Sequence, residues 1–315
     1  MSHTPHFFSQ ALTDQVYAAL AQDGGAAISN AGVMDLGGLT VIFDTFLTLQ
    51  AARDLRSFAE KATGRSSQIV INSHFHNDHI WGNQVFLPEA QFVSTNETRQ
   101  LMITEGMEEY RWYSAKSAQK LASLQAEFNA TQDVIERRRL LLWIGYYSGL
   151  VETLPRLELT LPGITFDRRL ELHGTKRRAE LITFEGAHTG SDTILYLPQD
   201  GIVFTSDLLF IGNHPYLAEG NPYKLLDTLH ELSRMDAAIY VPGHGPVGSR
   251  EDLFLMIEYV EHCLAVARSL VNDGGDYEAG AKQMQPGEAF KDWQLSGFYP
   301  TNILSFCRLL TAQTG

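Results

Sequence analysis

Cysteine is nearly missing from this 315-residue chain: Cys263 and Cys307 are the only two, far apart and in no CxxC pair. That excludes a disulfide framework and a cysteine-built zinc site, and predicts two buried apolar thiols. Basic residues are also scarce, 24 Lys+Arg against 37 Asp+Glu, for a net charge of −13. Gripping nucleic acid irrespective of its sequence needs a basic face, so no nucleic-acid partner is expected. Active-site metals could still supply a local positive field, which leaves nuclease chemistry open. No run approaches the roughly 18 apolar residues of a membrane span. The opening MSHTPHFFSQALTDQVYAAL carries no basic leader. No membrane partner and a cytoplasmic location are therefore the expectations. Repeats, low-complexity tracts and a Pro/Gly-rich linker are lacking too, so a single domain over 1–315 is expected, against a length prior of about two.

What is present is a mixed α/β pattern. Strands are predicted at 38–43 and 68–72, with a helix over 51–62 that puts Leu55, Phe58 and Ala59 on one face. From about 97 to 155 the pattern turns helical, and 115–128 is rich in good helix formers. Strand signals return at 157–161, 170–172, 179–184, 193–197 and 202–205. Asn221-Pro222 reads as a helix cap followed by proline at the first position, with the helix running to about Arg234. A strand at 238–241 and a long helix from about Arg250 follow, and a helical tail is expected over about 272–315.

The chemistry concentrates at His74-Phe-His76-Asn-Asp78-His79. Residues two apart on an extended segment point to the same side, so His74 and His76 can converge on one ion. Asp78 and His79 follow at a turn and can serve a second. His188 lies in the loop Glu-Gly-Ala-His-Thr-Gly-Ser-Asp, Asp207 is expected to end the run Ile-Val-Phe-Thr-Ser-Asp, and His244 sits in Pro-Gly-His-Gly-Pro. Each is predicted at a strand-to-loop junction, where a rigid sheet can aim a side chain. Any one alone would be a structural His or a turn Asp; seven in one chain point to metal. Imidazole with carboxylate suits zinc, with iron, manganese or cobalt as alternatives.

HxHxDH at 74–79, with His188, Asp207 and His244 following in order, resembles the metallo-β-lactamase superfamily. The resemblance covers roughly 25–95 and 165–270. It implies a four-layer α/β/β/α sandwich of two mixed sheets, interrupted here by the helical insertion. It also implies two metal ions, one on His74, His76 and His188, the other on Asp78, His79 and His244, with Asp207 bridging. Two divalent ions, two carboxylates and a bridging hydroxide leave a net positive site, suited to a substrate carbonyl or carboxylate. The implied reaction is attack of that hydroxide on an acyl carbon, with Asp78 or Asp207 moving a proton. By the same resemblance, Asp44 holds a ligand histidine through a hydrogen bond; a strand-ending turn residue is the alternative.

Within that family, Asp207 stands where one subclass of zinc β-lactamases carries Cys and where another lacks the bridging group. The chain is thus more similar to the lactonase, glyoxalase II and general-hydrolase branch. Glyoxalase II would want a basic C-terminal part, yet 272–300 holds only Lys282 and Lys291. A lactonase would want a tyrosine beside the metals, with Tyr216 and Tyr223 as counterparts. The RNA-gripping basic arm of the tRNA-processing branch is not evident, and diiron flavoproteins carry Glu at the position of His76. His214, on the segment running out of Asp207, is expected to support a metal ligand or contact the substrate, or else to be a surface loop histidine. The expected function is hydrolysis of an ester, lactone or similar acyl bond in a small molecule. Phosphodiesterase or nuclease, β-lactamase-like and thioesterase activities are the alternatives, and a non-catalytic metal binder is the rival outside enzymes. The aromatic-rich insertion, with Trp112, Tyr113, Trp143, Tyr146 and Tyr147, caps the site, forms a homodimer contact or packs as a hairpin core. Its RRR run at 137–139 reads as a solvated face, and Trp81 as core.

Overall fold

In the computed structural model residues 4–312 are described, and they cluster into two compact units. The first runs to Thr183 and includes Thr193–Asp200; the second comprises Phe184–Asp192 and the chain from Gly201 onward. The start of the predicted leader-free segment, Met1–His3, and the last three residues of the predicted tail lie outside the described residues.

The first unit opens with a hairpin of β1 (Phe7–Thr13) and β2 (Val16–Ala21), turned at Gln15 in the left-handed region. Strands β3 (Ala31–Asp35) and β4 (Thr40–Phe43) are buried along their whole length. Their unbroken runs of small and apolar residues suit strands covered on both faces. Helix α1 (Leu49–Thr63) starts at Thr48, whose hydroxyl accepts the Ala51 N–H, and stops at Gly64 in the left-handed region. Leu55 and Ala59 are buried and Phe58 packs beside them, as predicted. Strand β5 (Ile69–Ile71), the one-turn helix α2 (Asn77–Ile80) and β6 (Gln91–Thr95) follow. Together with β7 (Ile164–Phe166) the strands form a seven-stranded sheet in sequential order, antiparallel from β1 to β4 and parallel from β4 to β7.

Helices α3 (Asn96–Ile103), α4 (Glu105–Ala130) and α5 (Val134–Thr153) fill the stretch where a helical insertion is predicted. The strand expected at 157–161 does not form. Side chains take the hydrogen bonds a ladder would have used: Gln84 accepts the Glu158 N–H and Asn83 donates to the Thr160 carbonyl. Leu157 is buried in an apolar cluster with Trp81, so its hydrophobicity reports packing rather than pairing.

A second, mixed sheet has the order β12-β11-β10-β9-β8, from β8 (Arg169–His173), β9 (Arg178–Phe184), β10 (Asp192–Leu197), β11 (Ile202–Phe210) and β12 (Ile239–His244). The second unit carries β11 and β12, paired in parallel. It also holds α6 (Pro222–Ser233), α7 (Arg250–Asn272), α8 (Tyr277–Gln283) and α9 (Phe298–Ala312). Asn221 caps α6 as expected, accepting the N–H groups of Tyr223 and Lys224. Cys263 and Cys307 are free and buried, and burial pushes the Cys263 thiol up to about 12. Among the described residues no helix is long and apolar enough to cross a membrane.

Candidate metal centre

Beyond β5 the chain leaves the first sheet as Asn72-Ser73-His74, and the histidines cluster at once. The rings of His74 and His76 lie 4.7 Å apart between centroids, and those of His74 and His79 lie 4.3 Å apart. Asp44 organises this group. It sits just past β4 at φ 62°, a region a non-glycine residue enters only when its surroundings hold it there. Its Oδ1 accepts the Ser73 N–H at 2.8 Å, and its Oδ2 accepts the Ser73 hydroxyl at 2.7 Å. The same Oδ2 lies 2.8 Å from His79 Nδ1. A carboxylate only accepts, so Ser73 donates to Asp44, and its remaining lone pair faces His74 Nδ1 at 2.9 Å. Both imidazoles are thereby set with Nδ1–H as donor, and Nε2 is the nitrogen each can offer an ion. Asp78 is the second residue of α2, with its Oδ2 3.7 Å from His79 Nε2.

In the other unit a loop and two strands carry a second group of predicted residues. Asp192, buried at the start of β10, accepts the N–H groups of His188 and Thr189 and the Thr189 hydroxyl, at 2.7–3.0 Å. These bonds fix the loop that carries His188. Asp207 departs from its predicted place: β11 does not end there but runs on to Phe210. Ser206, at φ 48°, breaks the register with β12, and this irregularity aims Asp207 without terminating the strand. His244 likewise closes β12 rather than following it. Asp207 Oδ2 lies 3.4 Å from His188 Nε2, and its Oδ1 lies 3.4 Å from His244 Nε2. Gly243 gives the carboxylate its room, because a Cβ there would stand 1.8 Å from Asp207 Oδ1. Phe210 stacks on His244 with centroids 4.7 Å apart and forms an apolar wall.

Within each unit, donor atoms of the predicted residues approach within 4.8 Å of one another: His74 with His76 and Asp78 with His79 in the first, His188 with Asp207 in the second. Imidazole nitrogens oriented through their other ring atom, and a carboxylate seated against a glycine, are the donors a borderline divalent cation takes. The residues present fit such ions.

The other predicted positions have neighbours of their own. His214 is fully buried, its Nδ1 3.1 Å from the Tyr259 hydroxyl and its ring against Trp293 and Tyr299. It is not a surface histidine, and the contacts described for it come from α7, α9 and the segment between α8 and α9. Burial pushes its pKa down to about 4. Tyr216 packs on Phe298, and Tyr223 accepts a hydrogen bond from Arg268, so both turn toward helical neighbours. Trp81 is core, as expected. Of the RRR run, Arg137 lies over the Phe128 ring and caps Phe128 and Thr131 carbonyls, while Arg138 and Arg139 reach Asp23 and Glu136.

Sequence reasoning missed Ser73, Asp192, Phe210 and Gly243, though Asp192 and Gly243 stand close to candidate ligands in the chain. It also missed a contact from the insertion. Asn77 Nδ2 donates to the Tyr146 hydroxyl at 3.2 Å and to Glu109 Oε1 at 3.4 Å. Tyr113 and Tyr146 form an edge-on pair, and burial first, with nearby Glu109 and Asp78 adding, raises both phenols well above the ordinary range.

Three solved structures illustrate the likeness of fold. A metallo-β-lactamase from Pontibacter korlensis is 15% identical with a TM-score of 0.58, covering 81% of this chain and 99% of its own. The metallo-β-lactamase FIM-1 from Pseudomonas aeruginosa, in its mono-zinc form, is 13% identical at 0.59, with 82% and 96% covered. A metallo-β-lactamase from Hirschia baltica is 14% identical at 0.56, with 81% and 97% covered. Curated protein sequences give no match. The family model of the metallo-β-lactamase superfamily matches residues 24–244 and so spans the histidine motif and every later candidate ligand. With two mixed sheets of seven and five strands and this donor set, the chain belongs to the metallo-β-lactamase superfamily and is an enzyme of its hydrolase type.

Proposed function

We propose that this chain is a binuclear metal hydrolase, zinc first, that cleaves an ester, lactone or similar acyl bond of a small molecule. His74, His76 and His188 would hold one ion, Asp78, His79 and His244 the other, with Asp207 between them. The observation that carries this reading is Asp207, whose two oxygens each face a different imidazole at 3.4 Å. A carboxylate so placed can serve two ions, which a cysteine thiolate or a one-ion site would not require. When bound, the metals supply a water acidic enough to attack at neutral pH and an electrophile for the acyl oxygen.

The chain's own residues do the rest. Asp44 and Ser73 hold the His79 and His74 rings in one tautomer, and Asp192 holds the His188 loop. Asp78 and Asp207 are the carboxylates able to take up and pass on the proton released when water attacks. Phe210 lies flat on His244, keeps bulk water from that side and lowers the local dielectric. We carry the chain forward as one catalytic domain, working on a small molecule in the cytoplasm. A dimer contact through the insertion and a role for His214 beside the site remain subordinate to that reading.

Phosphodiesterase, β-lactamase-like and thioesterase activities are the alternatives. Metal analysis of the purified protein, paired with a panel of p-nitrophenyl esters, lactones, thioesters, a chromogenic β-lactam and bis-p-nitrophenyl phosphate, decides among them. Two metals per chain and chelator-sensitive ester or lactone turnover are expected. Turnover of the phosphodiester alone would replace the acyl reading.

A further inference from the structure

The one-turn helix α2 carries two of the predicted ligands, Asp78 and His79, and cannot orient itself. Four residues fall far short of what an isolated helix needs, and its cap residue His76 makes no side-chain capping bond. Its direction must come from outside. On one side the first sheet holds it: Thr45 donates its backbone N–H to the His79 carbonyl at 2.8 Å, the Ser29 hydroxyl donates to the Asp78 carbonyl, and Asp44 takes the His79 ring. On the other side stands the inserted hairpin. Glu109 from α4 and Tyr146 from α5 both accept from the single amide nitrogen of Asn77, the residue before Asp78. Asn77 is buried, as is Tyr146, so neither bond is exchanged cheaply for water. Phe75 and Trp81, which flank the turn, belong to the same apolar cluster as Tyr146 and Leu150.

We propose that Glu109 and Tyr146 are positioning residues of the metal centre: clamping Asn77 between α4 and α5, they set the turn that presents Asp78 and His79. The insertion is then a structural part of the site rather than only a cover over it. The inference rests on the binuclear reading given above, and concerns the ion assigned to Asp78, His79 and His244 more than the one assigned to His74, His76 and His188.

The test is titration of metal-stripped full-length protein with cobalt(II), followed by its visible spectrum, and with zinc(II) against a chromophoric chelator. Wild type should take up two ions; fewer than two refutes the binuclear reading itself, before any variant is compared. Tyr146→Phe keeps the ring and removes the hydroxyl, and pairing it with Glu109→Leu removes both acceptors. The double variant should lose ~10- to 100-fold in affinity for one ion only and shift the cobalt bands of that ion. Glu109→Gln, which retains an acceptor oxygen, should behave as wild type beside an intact Tyr146. Wild-type affinities and spectrum in the double variant, or equal weakening of both ions, would overturn the proposal. If the double variant does not fold, Tyr146→Phe alone decides by the same readouts, with a several-fold loss at one ion expected and none overturning it.

Discussion

Asp44 has one carboxylate and three tasks, accepting from the Ser73 backbone, the Ser73 hydroxyl and the His79 ring. Asp44→Asn is the sharpest probe, because asparagine tolerates the same positive φ and keeps the volume. One of its terminal atoms becomes a donor, so the arrangement of three donors around it can no longer be satisfied. Zinc affinity should fall ~10- to 100-fold with little change in fold, measurable by chelator competition alongside far-UV circular dichroism. Asp207→Ala should lower both metal occupancy and turnover; full activity with two bound metals would contradict the assigned bridge. Gly243→Ala should mimic it in milder form, since the added methyl must displace either the carboxylate or β12. His214 offers a test independent of metal. Its folded pKa of about 4 lies below the usual 6.5, so between those values the unfolded chain binds more protons than the folded one. Stability therefore falls as pH drops from about 6.5 through 4, by up to about 3 kcal/mol, and the loss is complete only below the folded value. Urea melts of metal-stripped wild type and His214→Gln across that range should show the wild type with the steeper acid dependence.

At the scale of elements, local signals were legible and long-range ones were not. Asn221-Pro222 announced the start of α6 because a cap needs only its next two or three residues; Asn221→Ala should cost about 1 kcal/mol in denaturant unfolding. HxHxDH was equally readable, its four candidate ligands lying within six residues. The extent of β11 was not: Ser206 and Asp207 look like the polar end of an apolar run, and only pairing with β12 carries the strand on to Phe210. Leu157–Leu161 misled in the opposite sense, because the side chains of Asn83 and Gln84, more than 70 residues away in sequence, satisfy that backbone. Ser73 and Asp192 escaped notice for the same reason. A serine or an aspartate beside a histidine carries no signal until the fold shows what it bonds. Asp44 does bond a histidine of the motif, His79, and only a family pattern pointed to that pairing.

Taken as a whole, the chain keeps its chemistry apart from its bulk. A molecule of net charge −13 places His74, His79 and His188 on buried, hydrogen-bonded frames, and the fold is shared with lactamases at 13–15% identity. Such a likeness conveys architecture and not substrate, since one fold hosts many reactions. Chelation should accordingly abolish turnover on the ester and lactone panel while leaving the far-UV spectrum intact. The frames that aim His74, His79 and His188 are made of backbone amides, hydroxyls and carboxylates, and none of these bonds runs through a cation. The stripped protein should therefore behave as a finished mould. Stopped-flow uptake of cobalt ought to scale with cobalt concentration from the first milliseconds, with no slow refolding phase ahead of it, and repeated cycles of stripping and reloading should return the same occupancy each time.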